Sequence, residues 1–545
     1  MRLRNLVSVS QKPRIASALG GCIRIPPLDL TQPLLVYNLV GLSLLYASAY
    51  FLPLLMPTGS YFLPSDDYLN LVGLPSLVAI GAWVTLLQFG AAAGRRWLDS
   101  RVATVLAVGA LSIFTLIALK SLMYAAGYDW PDRIPHKGSL VAAQRIFKVI
   151  VALITVLSIW SLRGRLSKVN RALASLGFGF LGLAAVRLVV LLHGPAMGAV
   201  LPEIQDGMTL RPLTPNSVAT NARSRRVVWV IFDETDFQRV FGSLRDPGLP
   251  LPNFEQLAKA SVFAANANSP ASATLYSIPA LLTGIPISEA GIEINTRGRM
   301  MLHRTTGDWI PFDETTSIFG AVSAGGLGVS ALGFLHPYCK IFATQRCESM
   351  AWPHVGALDD ALWSNVPGLL STKLGHRNSW ESMTERVIGD LPEYLVRDDA
   401  LTFVHLDIPH LPSAYAEAAL HLQASADPLV NYAHNLLLAD QVLGKIVATL
   451  TPESARHELL LVVSTDHWLR KVWYRPDERE SSSPVPLMMW RVGETRGTIL
   501  PDPLSTVYTA SMILSYLNGE ISSQSDIVRW WANKPVSPSF IAPNT

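Results

Sequence analysis

Val227-Val-Trp-Val-Ile-Phe-Asp-Glu-Thr-Asp236 joins six apolar residues to an acidic cluster, Asp233, Glu234 and Asp236. A short continuous apolar run of this kind reads as a strand buried on both faces. A second run, Leu459-Leu-Leu-Val-Val-Ser-Thr-Asp-His467, has the same design and closes on Asp466 and His467. Further apolar runs at 328–332, 402–406 and 485–490 alternate with amphipathic stretches at 253–260, 380–395 and 428–450. That alternation predicts an α/β/α sandwich around a mainly parallel sheet. In such sheets ligands gather at the carboxyl ends of strands, where Asp233, Glu234, Asp466 and His467 fall.

Upstream the composition changes. Half of the 545 residues are hydrophobic and only 16% are charged, too apolar for an average soluble enzyme. The excess lies before about position 195, in five spans of membrane-crossing length at 34–56, 69–91, 102–126, 146–162 and 172–192. Arg2, Arg4, Lys12, Arg14 and Arg24 precede the first span, and the loop after it holds Asp66 and Asp67 with no base. Arg95, Arg96 and Arg101 mark the second loop; Arg163, Arg165, Lys168 and Arg171 mark the fourth. The positive-inside rule puts the N-terminus in the cytoplasm, and five spans then carry everything after 192 to the outer side. A cleavable signal peptide is not expected, because the first apolar stretch is too long and too far in.

The expected layout is a transmembrane domain at 1–193, a linker at 194–225, a catalytic α/β domain at 226–520 and a poorly ordered Pro/Ser-rich tail at 521–545. Arg223, Arg225 and Arg226 either meet lipid headgroups or form a solvated end to the linker. Cys339 and Cys347 lie close together in the outer part, where an oxidising compartment allows a disulfide. A net charge of +3 and the lack of basic clusters interleaved with aromatics argue against a nucleic-acid partner. Oligomeric state is not legible.

Between the two acid-terminated strands lies Ser272-Ala-Thr-Leu-Tyr-Ser-Ile-Pro-Ala-Leu-Leu-Thr-Gly284, which puts the Thr274 hydroxyl just before a helix-like segment. Alone, Thr274 is a helix cap, Asp233-Glu234 a strand-end turn and Asp466-His467 a capping pair. Taken together they describe a site for one divalent metal, zinc or manganese, with Glu234, Asp466, His467 and the Thr274 hydroxyl as ligands. A hydroxyl bound to such a cation becomes a nucleophile at neutral pH. No histidine follows His467, which favours a single metal. His410, in Val404-His-Leu-Asp-Ile-Pro-His-Leu-Pro412, is a candidate phosphate contact or proton donor. His405 and Asp407 lie nearby, Asp407 reading as a turn cap, and Asp440 reads as structural. Arg470, Lys471 and Arg475 either hold an anionic substrate or form a solvated loop.

These motifs resemble the alkaline phosphatase/sulfatase superfamily, and within it the membrane-anchored phosphoethanolamine transferases and lipoteichoic acid synthases. The resemblance spans about residues 226–519. It rests on Glu234 at a strand end, the run Thr274, Ser277 and Pro279, the pair His410 and Pro412, and Asp466-His467. It implies five membrane helices, an extracytoplasmic (periplasmic) domain and a phosphothreonine at Thr274. It also implies transfer of a phosphoethanolamine- or phosphoglycerol-type headgroup from a phospholipid donor to an envelope glycan or lipid acceptor. Two other readings stand beside it: a phosphodiesterase, phosphatase or sulfatase-like hydrolase, and a non-catalytic envelope-binding domain. The run Cys- or Ser-x-Pro-x-Arg of sulfatases is absent around Thr274, which disfavours sulfate-ester hydrolysis. Aspartate precedes Glu234 where the transferases carry glycine, so Asp233, Glu234 or both are expected to bind metal.

Overall fold

The computed structural model describes residues 224–534 apart from 296–297, 305–306, 351–371, 412–419, 421–424, 472–473 and 476–481. It also describes 151, 153–162, 165–193, 210 and isolated positions between 37 and 150. The expected span 69–91 lies outside the described residues, as does nearly all of the linker. Spans 34–56 and 102–126 are described only at isolated positions, and the described residues of 146–162 are almost all helical. The fifth span falls in α1 (Leu166–His193). Among the described residues this is the one helix long and apolar enough to cross a membrane, over Lys168–Val186 with mean hydropathy 1.5.

Small side chains set how α1 packs. Gly41 and Gly177 meet so closely that a Cβ on Gly177 would fall 1.8 Å from the Gly41 carbonyl oxygen. Tyr37 stacks on Phe178 and bonds the Ser175 hydroxyl at 2.8 Å. Backbone approach through small residues is how helices associate where no hydrophobic effect drives them. Leu153, Ile154, Leu157 and Val186 point outward from these helices, each more than half exposed.

The α/β part begins with β1 (Arg225–Phe232), followed by α2 (Pro252–Ala260), β2 (Val262–Asn268) and α3 (Thr274–Thr283). A small antiparallel sheet comes next, from β3 (Ile287–Ile294), β4 (Met300–Arg304) and β5 (Trp309–Pro311). Then come α4 (Ile318–Ala324), β6 (Val329–Phe334), β7 (Arg346–Met350), α5 (Thr372–Leu395) and β8 (Leu401–Leu406). They are followed by α6 (Pro428–Glu453), β9 (Glu458–Ser464), β10 (Val485–Arg491), β11 (Thr498–Leu500) and β12 (Leu504–Ser505). Last are α7 (Thr509–Leu517) and α8 (Gln524–Ala532).

The main sheet runs β11-β2-β10-β9-β1-β8-β6-β7, with β12 beside β2. Only β10 is antiparallel to its neighbours, so the mainly parallel sheet expected from the alternation is present. Period-two alternation sends successive side chains of β1 to opposite faces. Val227, Trp229 and Ile231 enter one core with residues of α3, α4, α7 and α8. Val228, Val230 and Phe232 enter the other with residues of α2, α5 and α6. Both faces are apolar because both are covered.

Cys339 and Cys347 are joined in a disulfide that ties β7 to the short helix Tyr338–Ile341 before it. The expectation of a poorly ordered tail from 521 needs correction. Ser523 opens α8 with a capping box, and Ile527 and Trp531 are buried against the sheet. An amphipathic helix outweighs the Pro/Ser-rich composition there, which belongs to 535–545, outside the described residues. Trp531→Ala should therefore cost about 3–5 kcal/mol. Denaturant unfolding of the purified chain would read this directly, and an unchanged midpoint would show that α8 does not dock.

Candidate active site

Strands β9, β1, β8 and β6 lie side by side and run the same way, so their carboxyl ends share one edge of the sheet. Asp466 and His467 leave β9, Asp233 and Glu234 leave β1, His405 belongs to β8 with His410 in the loop after it, and His336 follows β6. Thr274 arrives from beside them as the first residue of α3, which Gly284 ends in the left-handed conformation (φ 69°). The Thr274 side chain therefore stands at the positive end of a ten-residue helix.

Four of the expected residues converge. Thr274 Oγ1 lies 3.2 Å from His467 Nε2 and 3.4 Å from Asp233 Oδ1. His467 Nε2 in turn lies 3.4 Å from Asp466 Oδ2 and 3.7 Å from Asp233 Oδ1. His467 Nδ1 sits 2.9 Å from the Trp468 carbonyl, which can only accept. Nδ1 therefore carries a ring proton, and Nε2 faces the two carboxylates and the hydroxyl.

Glu234 adjoins this group and bonds a second set of residues. Its φ is 64°, the left-handed region that a side-chain-bearing residue adopts at a cost of about 1–3 kcal/mol. Partners on other elements hold it there. Its N–H donates to Asp466 Oδ1 (3.0 Å), and its carbonyl accepts from the Tyr432 hydroxyl (2.8 Å). Its Oε1 accepts from the Arg470 main-chain N–H (3.2 Å) and from Nε (3.0 Å). His410 Nε2 lies 3.6 Å from Glu234 Oε2 and 3.1 Å from Arg470 Nη2. Because guanidinium only donates, His410 Nε2 is an acceptor there. Asp236 caps the short helix Phe237–Val240 by accepting from Gln238 and Arg239 N–H.

The charges follow from burial. Burial pushes the Asp233 carboxyl well above the usual range, with the neighbouring Asp466 and Glu234 carboxylates adding to it. Burial works the same way on Asp466, but His467, His405 and the Glu234 N–H outweigh it and hold Asp466 down at about 2. Glu234 is also buried, and His410 and Arg470 overcome that to lower it. Burial pushes His410 down to about 4 and His405 to about 3, so both are neutral at pH 7.

The donor set suits a divalent cation. Asp233, His405 and Asp466 offer ligand atoms within 4.8 Å of one another, all buried. Asp466 Oδ2 and His405 Nε2 are buried with no hydrogen-bond partner among the described residues. Convergent carboxylate oxygens and imidazole lone pairs, with few protons to share, repel one another unless a cation lies between them.

Thr274, Asp233, Asp466 and His467 thus meet as the sequence led us to expect, while Glu234 and His410 form an adjoining arm through Arg470. Lys471 and Arg475 lie along the same loop, with Arg475 against the Tyr474 ring. Asp407 accepts from the Thr384 hydroxyl, and burial raises it to about 7. Asp440 is structural: it accepts from Phe254 N–H and Asn253 Nδ2 at the start of α2, both at 2.8 Å. His405 joins the site without a role legible from its motif, the available signal being a polar residue inside a fully buried strand. Tyr338 bonds its Nδ1 at 2.8 Å, leaving Nε2 to face the carboxylates. His336 carried no such signal.

Residues 225–519 match the sulfatase family. No curated protein matches the chain. Among solved structures, similar folds include the phosphonate monoester hydrolase of Agrobacterium radiobacter, at 14% identity over 54% of this chain and 73% of that one (TM-score 0.35). Another is an alkaline phosphatase superfamily protein from Vibrio parahaemolyticus, at 14% identity over 61% and 74% (TM-score 0.38). A third is the C-terminal periplasmic domain of the phosphoethanolamine transferase EptC from Campylobacter jejuni, at 16% identity over 55% and 90% (TM-score 0.35). These likenesses are too distant to speak to chemistry. The family match covers more than half of the chain, and the chain belongs to the sulfatase family.

Proposed function

We propose that this protein is a membrane-bound, metal-dependent transferase. It would move a phosphoethanolamine- or phosphoglycerol-type headgroup from a phospholipid to an envelope glycan or lipid through a phosphothreonine at Thr274. The observation that carries this reading is the Thr274 hydroxyl, held between His467 Nε2 and Asp233 Oδ1 at the start of α3. Asp233, Asp466, His467 and Thr274 would hold a divalent cation, with His405 and Glu234 as further donors beside them. Such a cation stabilises charge on a phosphoryl group and acidifies a bound hydroxyl.

In the first step Thr274 Oγ bonds to phosphorus and the phosphorus–oxygen bond to diacylglycerol breaks. The Thr274 proton passes to the acceptors facing it, and diacylglycerol leaves as the alcohol with one proton taken up. In the second step an acceptor hydroxyl bonds to phosphorus and gives its proton to the groups facing Thr274, the bond to Thr274 Oγ breaks, and the threonine takes up a proton from them. Arg470, kept in place by Glu234 and by the His410 lone pair, supplies fixed positive charge for the anionic headgroup.

The setting supports a lipid donor. The outward apolar side chains of α1 and of 153–162 suit lipid better than water, and the disulfide suits an extracytoplasmic domain. The absent Cys- or Ser-x-Pro-x-Arg run argues against sulfate-ester chemistry in spite of the family name.

Vesicles of headgroup-labelled phosphatidylethanolamine and phosphatidylglycerol, given with and without glycan acceptor, test the reading. Label moving to the glycan, with a matching mass adduct on the Thr274 peptide, is the expected result. Release of the headgroup to water in both arms would make the protein a hydrolase, and no turnover in either would leave a binding domain.

A further inference from the structure

We infer that Tyr61, which lies outside the catalytic domain, is a positioning residue of the active site acting on Thr274 through His336. The inference rests on the reading of Thr274 as nucleophile. Tyr61 is 2% exposed, and its hydroxyl lies 2.7 Å from His336 Nδ1 with the two rings edge to face. The other ring nitrogen, His336 Nε2, lies 3.3 Å from the Thr274 carbonyl oxygen.

For a neutral imidazole, one proton arrangement satisfies both contacts. A carbonyl cannot donate, so Nε2 carries the proton and Nδ1 the lone pair, and Tyr61 donates. The chain runs in one direction, from Tyr61 O–H to His336 Nδ1 and from Nε2–H to the Thr274 carbonyl. Phe312 packs edge-on against the same imidazole, which limits its tilt. Tyr61 thus fixes the tautomer, the imidazole fixes the main chain of Thr274, and that main chain aims the hydroxyl at Asp233 and His467.

The charge pattern of the sequence supports the contact independently. Tyr61 falls in the loop after the first expected span, whose only charges are Asp66 and Asp67, and the positive-inside rule puts that loop on the same side as the catalytic domain. The catalytic domain alone therefore lacks part of the support for its own nucleophile. The membrane-side segment completes it.

The test uses the full-length protein in lipid nanodiscs. Tyr61→Phe removes one hydroxyl and keeps the ring. It should lower kcat about tenfold, the scale of one lost hydrogen bond that aims a reacting group, with KM changed less than about twofold. Both bis(p-nitrophenyl) phosphate and labelled phospholipid should show this. In a His336→Phe background the same substitution should have no further effect, because the hydroxyl then has nothing to act on. Separately, Tyr61→p-benzoylphenylalanine should photo-crosslink to a peptide containing His336 or Thr274. Wild-type kcat in Tyr61→Phe, additive losses in the double variant, or crosslinks only elsewhere would overturn the inference. If the unmodified protein turns over neither substrate, the nucleophile reading has failed, and the crosslink alone decides the Tyr61 contact.

Discussion

Thr274→Ala should abolish turnover, lowering kcat by about 10³-fold or more, and should leave no covalent phospho-enzyme. The size of the effect follows from the role proposed. A residue that forms the bond to phosphorus has no understudy at 3 Å, and what rate remains comes from binding and charge stabilisation alone. The fold should survive, because Thr274 is the first residue of α3 and the N-cap is Ala273. The carbonyl that His336 contacts is main chain and is kept in the variant. Thr274→Ser restores a hydroxyl at the same place and should recover part of the activity. The measurements are kcat on a phosphodiester and the mass of the Thr274 peptide after exposure to lipid. Full activity in the alanine variant would sink the nucleophile assignment, whatever the fate of the metal.

Stripping divalent cations with a chelator should abolish activity and lower the melting temperature, with both restored by zinc or manganese. The stability change follows from linkage, since anything bound to the folded state alone stabilises it. It also follows from electrostatics, because Asp233, Glu234 and Asp466 are buried together with Arg470 as the nearby fixed cation. Asp466→Ala should lower activity more than about 100-fold, beyond what loss of an outer-shell partner costs. It also removes the acceptor for the Glu234 and His467 N–H groups, at 3.0 and 2.8 Å, so the turn that carries Glu234 should loosen with it. Asp236→Asn is the contrast within the same acidic run. Asn caps a helix as well as Asp does, so this variant should keep its metal content. Metal analysis of both proteins separates the cases, and equal metal in Asp466→Ala and the parent would refute the ligand set.

How much of this was readable beforehand depended on the range of the interaction. The runs at 227–232, 402–406, 459–464 and 485–490 became strands, because continuous apolar stretches are buried on both faces and that is a local property. β2 was not foreseen. Its Val-Phe-Ala-Ala-Asn-Ala-Asn has weak strand character, and it is a strand because β10 and β11 pair with it on either side. The tail shows the converse: its composition suggests disorder, but Ile527 and Trp531 find a core to enter.

The site shows the same division more sharply. Amino-acid order was enough to name a hydroxyl, carboxylates and a late histidine, and sheet topology kept Thr274, Asp233, Asp466 and His467 together. Three acids in four residues cannot be told apart by order, however. Their roles depend on the left-handed backbone at Glu234, which is stabilised by Asp466, Tyr432 and Arg470 from about 200 or more positions away. His405 faces Asp233 and Asp466 because β8 lies beside β1 with His405 opposite Ile231; a slip of one residue would turn it to the other face. Tyr61 reaches His336 across 275 positions. Burial patterns are written residue by residue along the chain, and so strands and candidate ligands can be read from it. Which ligand meets which is settled by strand order and register, and those exist only once distant segments have packed.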